Sequence, residues 1–585
     1  MLKAPVLTMA SRNALDMCTG AFVDALARAG VTDVVACPGS RSTPLALLMR
    51  AHPAMHLWMH LDERSAGYFA LGMAKAAGRP IALLATSGTA SVNFAPAVTE
   101  ARYGRVPLVV LTADRPPELR ELGAPQTINQ TNLFGSSAKW WIEMPLPEAT
   151  EEAAQYGRLV AARAATLARE APAGPVHVNL PFREPLTPAV DGMLHATDDT
   201  RSVVAMSATR RFTPADLAPL AEQLRHQRRG IIVCGPQDDP ALAPAVAELA
   251  AVVGYPILAD ALSQVRVGSH DRTFVIDAYD ALVRDDSSAS TLQPDVMLRF
   301  GAIPTSKSLV QFMQRARDAR QIVVDNGGWP DPIHAASMVY QGDSASFCRA
   351  LVAALGEGQE DCEWIHAWRS LAARACVAIE SLIDADGTIS EPAVFTELSS
   401  LLPSGAILYA GNSMPVRDLD TFFNSNNREI LFLANRGANG IDGVVSSALG
   451  ASAMAPGPVV LVLGDLSFYH DMNGLLAARR FNLNATIVLV NNNGGGIFSF
   501  LPQADAPHFE ELFGTPHGLP FRAACELYDI EYERAETRPT FRDAVVRSIE
   551  APGVQVIEVP TRRDANVTLH REIWQAVSAA MAEGT

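Results

Sequence analysis

Between Gly464 and Asn493 the chain places one acid and a run of carboxamides at a spacing that suits a metal-diphosphate site. The apolar run Pro458–Leu463 has the continuous character of a parallel strand covered on both faces, and it ends at Gly464-Asp465. A second run, Ala485–Val490, ends in Asn491-Asn492-Asn493 and then Gly494-Gly495-Gly496. Ligands of open parallel sheets bind beyond the carboxyl ends of the strands. Two strands thus deliver a carboxylate and a carboxamide to one edge, and glycines there let backbone carbonyls and a diphosphate come close. A hard cation such as Mg2+ takes oxygen ligands of this kind, one or two from protein and others from phosphate and water. An isolated Gly-Asp between strand and helix is more often a helix cap. The asparagines at this distance shift the reading to metal binding.

The elements that must hold these residues belong to a large α/β protein. A chain of 585 residues is too long for one core. The 47 basic and 63 acidic residues leave a net charge of −16 with no basic block, which argues against nucleic acid as a partner. Seven cysteines without a C-x-x-C pair fit reduced thiols in a cytoplasmic protein. No apolar run approaches membrane-spanning length, so no membrane insertion is expected. Strands at Val34–Ala36, Ile81–Leu84, Leu108–Leu111 and Val176–Leu180 alternate with helices, the first over Asn13–Ala29. A Thr-, Asp-, Ser- and Pro-rich linker over Leu186–Asp216 precedes a second block with strands at Gly230–Gly235, Asp295–Phe300 and Gln321–Asp325. After a helix around Trp364–Ile383 and a break at Asp384–Pro392, a third block runs from Ala406–Tyr409 to Val554–Val559. The fold class expected is α/β, with three doubly wound parallel-sheet domains. Gly235-Pro236-Gln237 lacks the G-x-G-x-x-G spacing of a dinucleotide loop.

The Gly-Asp pair and the asparagines resemble the motif of thiamine diphosphate-dependent enzymes. Enzymes of that kind need a carboxyl group that protonates the aminopyrimidine, so that its imino form can take the proton from the thiazolium carbon. Glu63, in Leu61-Asp62-Glu63-Arg64, stands where a strand gives way to a helix in the first block. A glutamate in a first helical turn is also stabilised by the helix dipole alone. The resemblance implies that it is the activating acid, and that the site is completed between subunits of a homodimer or homotetramer.

Longer stretches narrow the resemblance. Cys37–Pro44, the segment around Glu63, Thr112–Arg120, Gly411–Arg417, Asn435–Gly443 and Gly464–Phe468 occur in order. Together they are similar to the 2-succinyl-5-enolpyruvyl-6-hydroxy-3-cyclohexene-1-carboxylate synthase family, the thiamine diphosphate enzymes of menaquinone biosynthesis. Leu466 replaces the second glycine of the general motif, a departure shared by that family. The resemblance implies a pyrimidine-binding domain at 1–190, a central domain at 205–350 and a diphosphate-binding domain at 385–585. It implies Mg2+ or Mn2+ on Asp465, Asn492 and the Gly494 carbonyl. Asn492 is selected by its offset from Asp465, with its two neighbours as alternatives. Gly88, Thr89, Ser413, Leu466, Ser467, Ile497 and Phe498 would line the cofactor. Ser40, Arg41, Gln126, Lys307, Arg417 and Arg436 would hold the substrates 2-oxoglutarate and isochorismate, with Arg417 and Arg436 also acting in catalysis. Arginine suits such a pocket because its planar fork grips a carboxylate through two hydrogen bonds. Other readings are a different thiamine-dependent 2-oxoacid decarboxylase or carboligase, and a non-catalytic thiamine-fold binding protein.

Overall fold

The structure is a computed structural model that describes residues 14–189, 202–356, 363–384 and 387–582. It contains the three expected parallel sheets, of six, five and six strands. The first comprises β1 (Asp33–Ala36), β2 (His56–Met59), β3 (Ile81–Ala85), β4 (Leu108–Asp114), β5 (Trp140–Glu143) and β6 (Val176–Pro181). The second comprises β7 (Gly230–Cys234), β8 (Ile257–Ala259), β9 (Val296–Phe300), β10 (Arg320–Asp325) and β11 (Ala336–Gln341). The third comprises β12 (Ile407–Ala410), β13 (Leu431–Ala434), β14 (Val459–Gly464), β15 (Ala485–Asn491), β16 (Glu531–Arg534) and β17 (Val554–Pro560). Interior strands such as β3, β4, β14 and β15 are buried almost throughout, as continuous apolar runs require. Four of the six edge strands, β2, β5, β11 and β16, are half-exposed and mixed in character, while the edge strands β8 and β13 are short and largely buried. The first helix ends at Arg28, and Asn13 lies outside the described residues. Of the expected linker, residues 190–201 lie outside the described residues, and its last residues already begin the helix Pro214–Leu224.

The first and third sheets share one strand order, β2-β1-β3-β4-β6-β5 against β13-β12-β14-β15-β17-β16. The order reverses between β1 and β3, and between β12 and β14, which is where an open parallel sheet forms a crevice at its carboxyl edge. Asp465 directly follows β14, whose last residue Gly464 pairs with Val490 of β15. The acid and the asparagines therefore leave the sheet at the same level.

The middle sheet, β11-β10-β9-β7-β8, reverses between β7 and β9. There the Ala302 carbonyl oxygen lies 1.8 Å from where a Cβ on Gly235 would stand. Gly235 N–H donates to Phe300 O at 2.8 Å and Ala302 N–H to Pro236 O at 2.9 Å. Backbone fills this switch point.

The chain forms two compact units. One holds the first sheet, up to Ala208, together with Asn435–Ala455 and Tyr469–Asn484; the other holds Thr209–Ala434, Pro456–Phe468 and Ala485–Thr585. In the first unit the helix Glu63–Ala77 crosses the helix Val444–Ser452 at backbone contact. A Cβ on Gly72 would meet Ser447 O at 1.8 Å, and one on Gly450 would meet Phe69 O at 1.9 Å. Tyr68 seals the crossing by donating its hydroxyl to Asp442 at 2.6 Å. In the second unit Arg266 donates to Asp420 at 2.8 Å inside the core, with Tyr279 donating to the same carboxylate at 2.6 Å. Among the described residues, no helix is long and apolar enough to cross a membrane.

Candidate active site

The residues singled out from sequence fall into both units. In the first unit all but Arg436 follow the carboxyl ends of strands of the first sheet, and Arg436 follows β13. Asp62 caps the helix Glu63–Ala77 by accepting from the Arg64 and Ser65 amides at 2.9 and 3.2 Å, which leaves Glu63, the first helical residue, free of the capping role. The charges of Glu63 and Asp62 add to burial in pushing the Cys37 thiol up. Ser40 is exposed and Arg41 is buried. The Arg41 guanidinium donates to Phe182 O at 2.9 Å and pairs with Glu184 at 3.4 Å, while its buried Nε has no partner. Burial and the Arg115 charge pull this guanidinium below its ordinary value.

Gly88 adopts φ 82°, and its amide donates to Gln130 Oε1 at 3.0 Å. Thr89 follows as the exposed first residue of a four-residue helix. Gln126 is exposed and turns its amide back to Ser87 O at 3.0 Å. Arg436 is half-buried on a loop whose next two amides, of Gly437 and Ala438, both donate to the buried Glu100 carboxylate at 2.6 Å. No sequence signal marks Glu100 or Gln130. Each looks like an ordinary polar residue of a helix or a polar loop, and only the fold shows what it holds.

In the second unit Asp465 opens the short helix Asp465–His470 and is 1% exposed. Its Oδ1 accepts from the Leu466 amide at 2.6 Å and its Oδ2 from the Gly494 amide at 3.0 Å. Ser467 is buried two residues on. Asn491 engages its side-chain oxygen with the Asn493 amide at 3.1 Å. Asn493 engages its own with the His517 and Gly518 amides at 3.0 and 2.8 Å. The Asn492 oxygen is buried and unpartnered, while its amide donates to Glu391 at 3.0 Å.

Gly494, at φ 140°, lies against the Gly514 carbonyl, and its own carbonyl accepts from the Gly496 amide at 3.0 Å. Ile497 and Phe498 follow on the 3-10 turn Gly496–Phe500, with the Phe498 ring 5.6 Å from that of Phe513. At the end of β12, Ser413 takes φ 74°, a conformation unfavourable for a residue with a side chain. Its carbonyl accepts from Arg417, whose guanidinium is half-buried and pulled down by that burial. Lys307 is exposed in the first turn of the helix Lys307–Arg315, with Ser308 buried beside it.

This donor set fits a divalent cation bound together with a phosphate. Among the described residues no group of three or more His, Cys, Asp or Glu gathers as a metal cage. The set is one buried carboxylate, one unpartnered carboxamide oxygen and backbone carbonyls, all hard oxygen donors that leave positions for phosphate. A Cβ built on Gly464 would meet nothing within 4 Å, so the strand end opens onto space. His517 Nε2 stands 3.2 Å from Asp465 Oδ2 without hydrogen-bond alignment. No local sequence pattern marks His517.

Three family models match the chain: the N-terminal TPP binding domain of thiamine pyrophosphate enzymes over residues 18–133, the middle domain over 210–410 and the C-terminal TPP binding domain over 420–559. The chain is 53% identical over 575 residues, 98% of both chains, to the 2-succinyl-5-enolpyruvyl-6-hydroxy-3-cyclohexene-1-carboxylate synthase of Geobacillus thermodenitrificans. It is 50% identical to the Chloroflexus aurantiacus protein of the same name, over 97% of both chains. The Bacillus cytotoxicus protein of that name is 47% identical over 96% of both. The chain belongs to the 2-succinyl-5-enolpyruvyl-6-hydroxy-3-cyclohexene-1-carboxylate synthase family of thiamine pyrophosphate enzymes.

Proposed function

We propose that the chain catalyses the reaction its relatives are named for: 2-oxoglutarate loses carbon dioxide, and its remaining four-carbon unit adds in a 1,4 sense to isochorismate. The observation that carries the site assignment is the buried, unpartnered oxygen of Asn492, leaving the sheet level with Asp465 at neighbouring strand ends. Thiamine diphosphate, when bound, supplies the nucleophilic carbon and accepts the electron pair left by the departing carbon dioxide. Asp465, Asn492 and the Gly494 carbonyl would hold Mg2+ or Mn2+ at its diphosphate. Ser413, Leu466 and Ser467 border the diphosphate, and Ile497 and Phe498 pack its rings. Gly88 and Thr89 would face the aminopyrimidine of the bound cofactor, and Glu63 would hold the proton at its ring nitrogen.

Arg41, Arg417 and Arg436 bind substrate carboxylates, with Ser40, Gln126 and Lys307 at the rim. The half-buried Arg417 meets a carboxylate where water screens it less, so its attraction is stronger than on the surface. The domains are assigned to 1–190, 205–350 and 385–585, the assembly to a homodimer or homotetramer with sites between subunits, and the location to the cytoplasm.

The test is incubation with 2-oxoglutarate, thiamine diphosphate and Mg2+, with and without isochorismate. Isochorismate should be consumed only when all are present, and equal product from pyruvate would point instead to another carboligase. Glu63→Gln should abolish turnover while thiamine diphosphate still binds. Normal turnover in that variant would remove Glu63 from its assigned role.

A further inference from the structure

Glu391 is the first residue of the helix Glu391–Leu401, yet that helix is capped by Ser390, whose hydroxyl accepts from the Ala393 amide at 3.2 Å. Glu391 is 3% exposed, and its Oε1 accepts from Asn492 Nδ2 at 3.0 Å and from the Thr561 hydroxyl at 2.8 Å. Thr561 in turn ties the end of β17 to β15 by donating its amide to Asn491 O at 2.9 Å. Burying a carboxyl group away from water is unfavourable, and its capping role is already filled. What it does hold is one end of a carboxamide.

An asparagine side chain has a donor end and an acceptor end that differ little in shape, so its partners decide which way it faces. Oε1 of Glu391 is an acceptor whatever the protonation of the other oxygen. Turning the Asn492 amide over would set two oxygens against each other at about the 3 Å now occupied by a hydrogen bond. The donor end is therefore fixed on Glu391, and the oxygen is directed the other way, where it is buried and unpartnered. On the other side a Cβ at Gly496 would stand 2.6 Å from Asn492 Nδ2, so the amide is also enclosed sterically.

We infer that Glu391 is a positioning residue for the cation site: it locks the Asn492 carboxamide with its oxygen turned toward the metal that anchors the diphosphate, without touching metal or cofactor itself. This rests on the assignment of Asn492 as a metal ligand. Partners that orient a ligand in this way typically govern metal affinity by about 10–100-fold.

The experiment uses the full-length protein and measures the Kd of Mg2+ at fixed thiamine diphosphate, by quenching of tryptophan fluorescence and by calorimetry. Four variants are compared: Asn492→Ala, Glu391→Leu, Glu391→Gln and the Glu391→Leu/Asn492→Ala pair. Asn492→Ala and Glu391→Leu should each raise the Mg2+ Kd by about 10–100-fold, and saturating Mg2+ should restore cofactor binding in Glu391→Leu. Glu391→Gln keeps an acceptor oxygen at the same place and should stay within about threefold of wild type, a rescue expected only if the acceptor is what matters. The pair should bind no more weakly than Asn492→Ala, because both changes act through one atom. Additive losses in the pair, wild-type affinity in Glu391→Leu, or a loss in Glu391→Gln as large as in Glu391→Leu would each overturn the inference while leaving Asn492 a ligand. An unchanged Kd in Asn492→Ala would overturn the ligand assignment and the inference with it. If Glu391→Leu does not fold, Glu391→Ala takes its place in the same comparison.

Discussion

Gly72→Ala is a substitution whose sign depends on which of two opposing effects is larger. Gly72 lies inside the helix Glu63–Ala77, and in an unencumbered helix the exchange favours folding by about 1 kcal/mol because alanine loses less backbone freedom. Here the new methyl would sit 1.8 Å from the Ser447 carbonyl oxygen. Ordinary contact requires the helices to separate by about 1.5 Å or more. The obstacle is backbone of a second helix, so no side chain can rotate aside. Overpacking of this kind costs about 1–3 kcal/mol, and a rigid obstacle puts it near the upper end. The net loss is about 2 kcal/mol, which lowers Tm by about 4–8 °C in a unit of this size. Because Glu63 heads the same helix, turnover should fall as well. Thermal unfolding followed by circular dichroism, with turnover measured in parallel, reads both effects. A Tm equal to or above wild type would show that the two helices do not cross at backbone contact.

Glu100→Gln leaves one oxygen for two amides that now share a carboxylate, and should cost about 1.5–3 kcal/mol while loosening the Arg436 loop. Thermal unfolding should register that loss, and the KM for the carboxylate substrate should rise about tenfold; unchanged values in both would remove Glu100 from this role. Burial raises the Asp471 carboxyl to about 7, above the roughly 4 of an unfolded chain, so its contribution to stability is full below about pH 4 and fades as pH rises through 7. Burial instead lowers His60 to about 3 and His177 to about 4, so their contribution is full above about pH 6.5 and is lost as pH falls. Between about pH 4 and 7 Asp471 should therefore lower Tm as pH rises, while His60 and His177 should raise it between about pH 4 and 6.5. Asp471→Asn should remove the first contribution and leave the second, so its Tm relative to wild type should climb between about pH 4 and 7, and a constant difference would count against the buried acid.

Much of the fold was legible because interior parallel strands are covered on both faces and must read as continuous apolar runs, as β3, β4, β14 and β15 do. Edge strands such as β16 are solvated on one side and carry charge, so their sequence looks like loop. The acid and asparagines of the cation site were legible because they directly follow two such runs. The residues that orient them were not. Glu391 meets Asn492 across 101 positions of sequence, and Glu100 meets Gly437 across 337. Which of the three asparagines offers its oxygen depended on partners in the loop at 517–518, whose approach no local pattern reports.

The crossing at Gly72 also bears on how the protein is made. Its two halves leave the ribosome roughly 400 residues apart, about 20–80 s at ordinary elongation rates. Through that interval the nascent first sheet has no Val444–Ser452 helix to cover Phe69 and Gly72. The first unit cannot complete itself during synthesis of its own first 208 residues. That helix arrives only after the middle sheet has been translated, and the bare groove is a surface that chaperones must shield or that the chain must leave unformed until then.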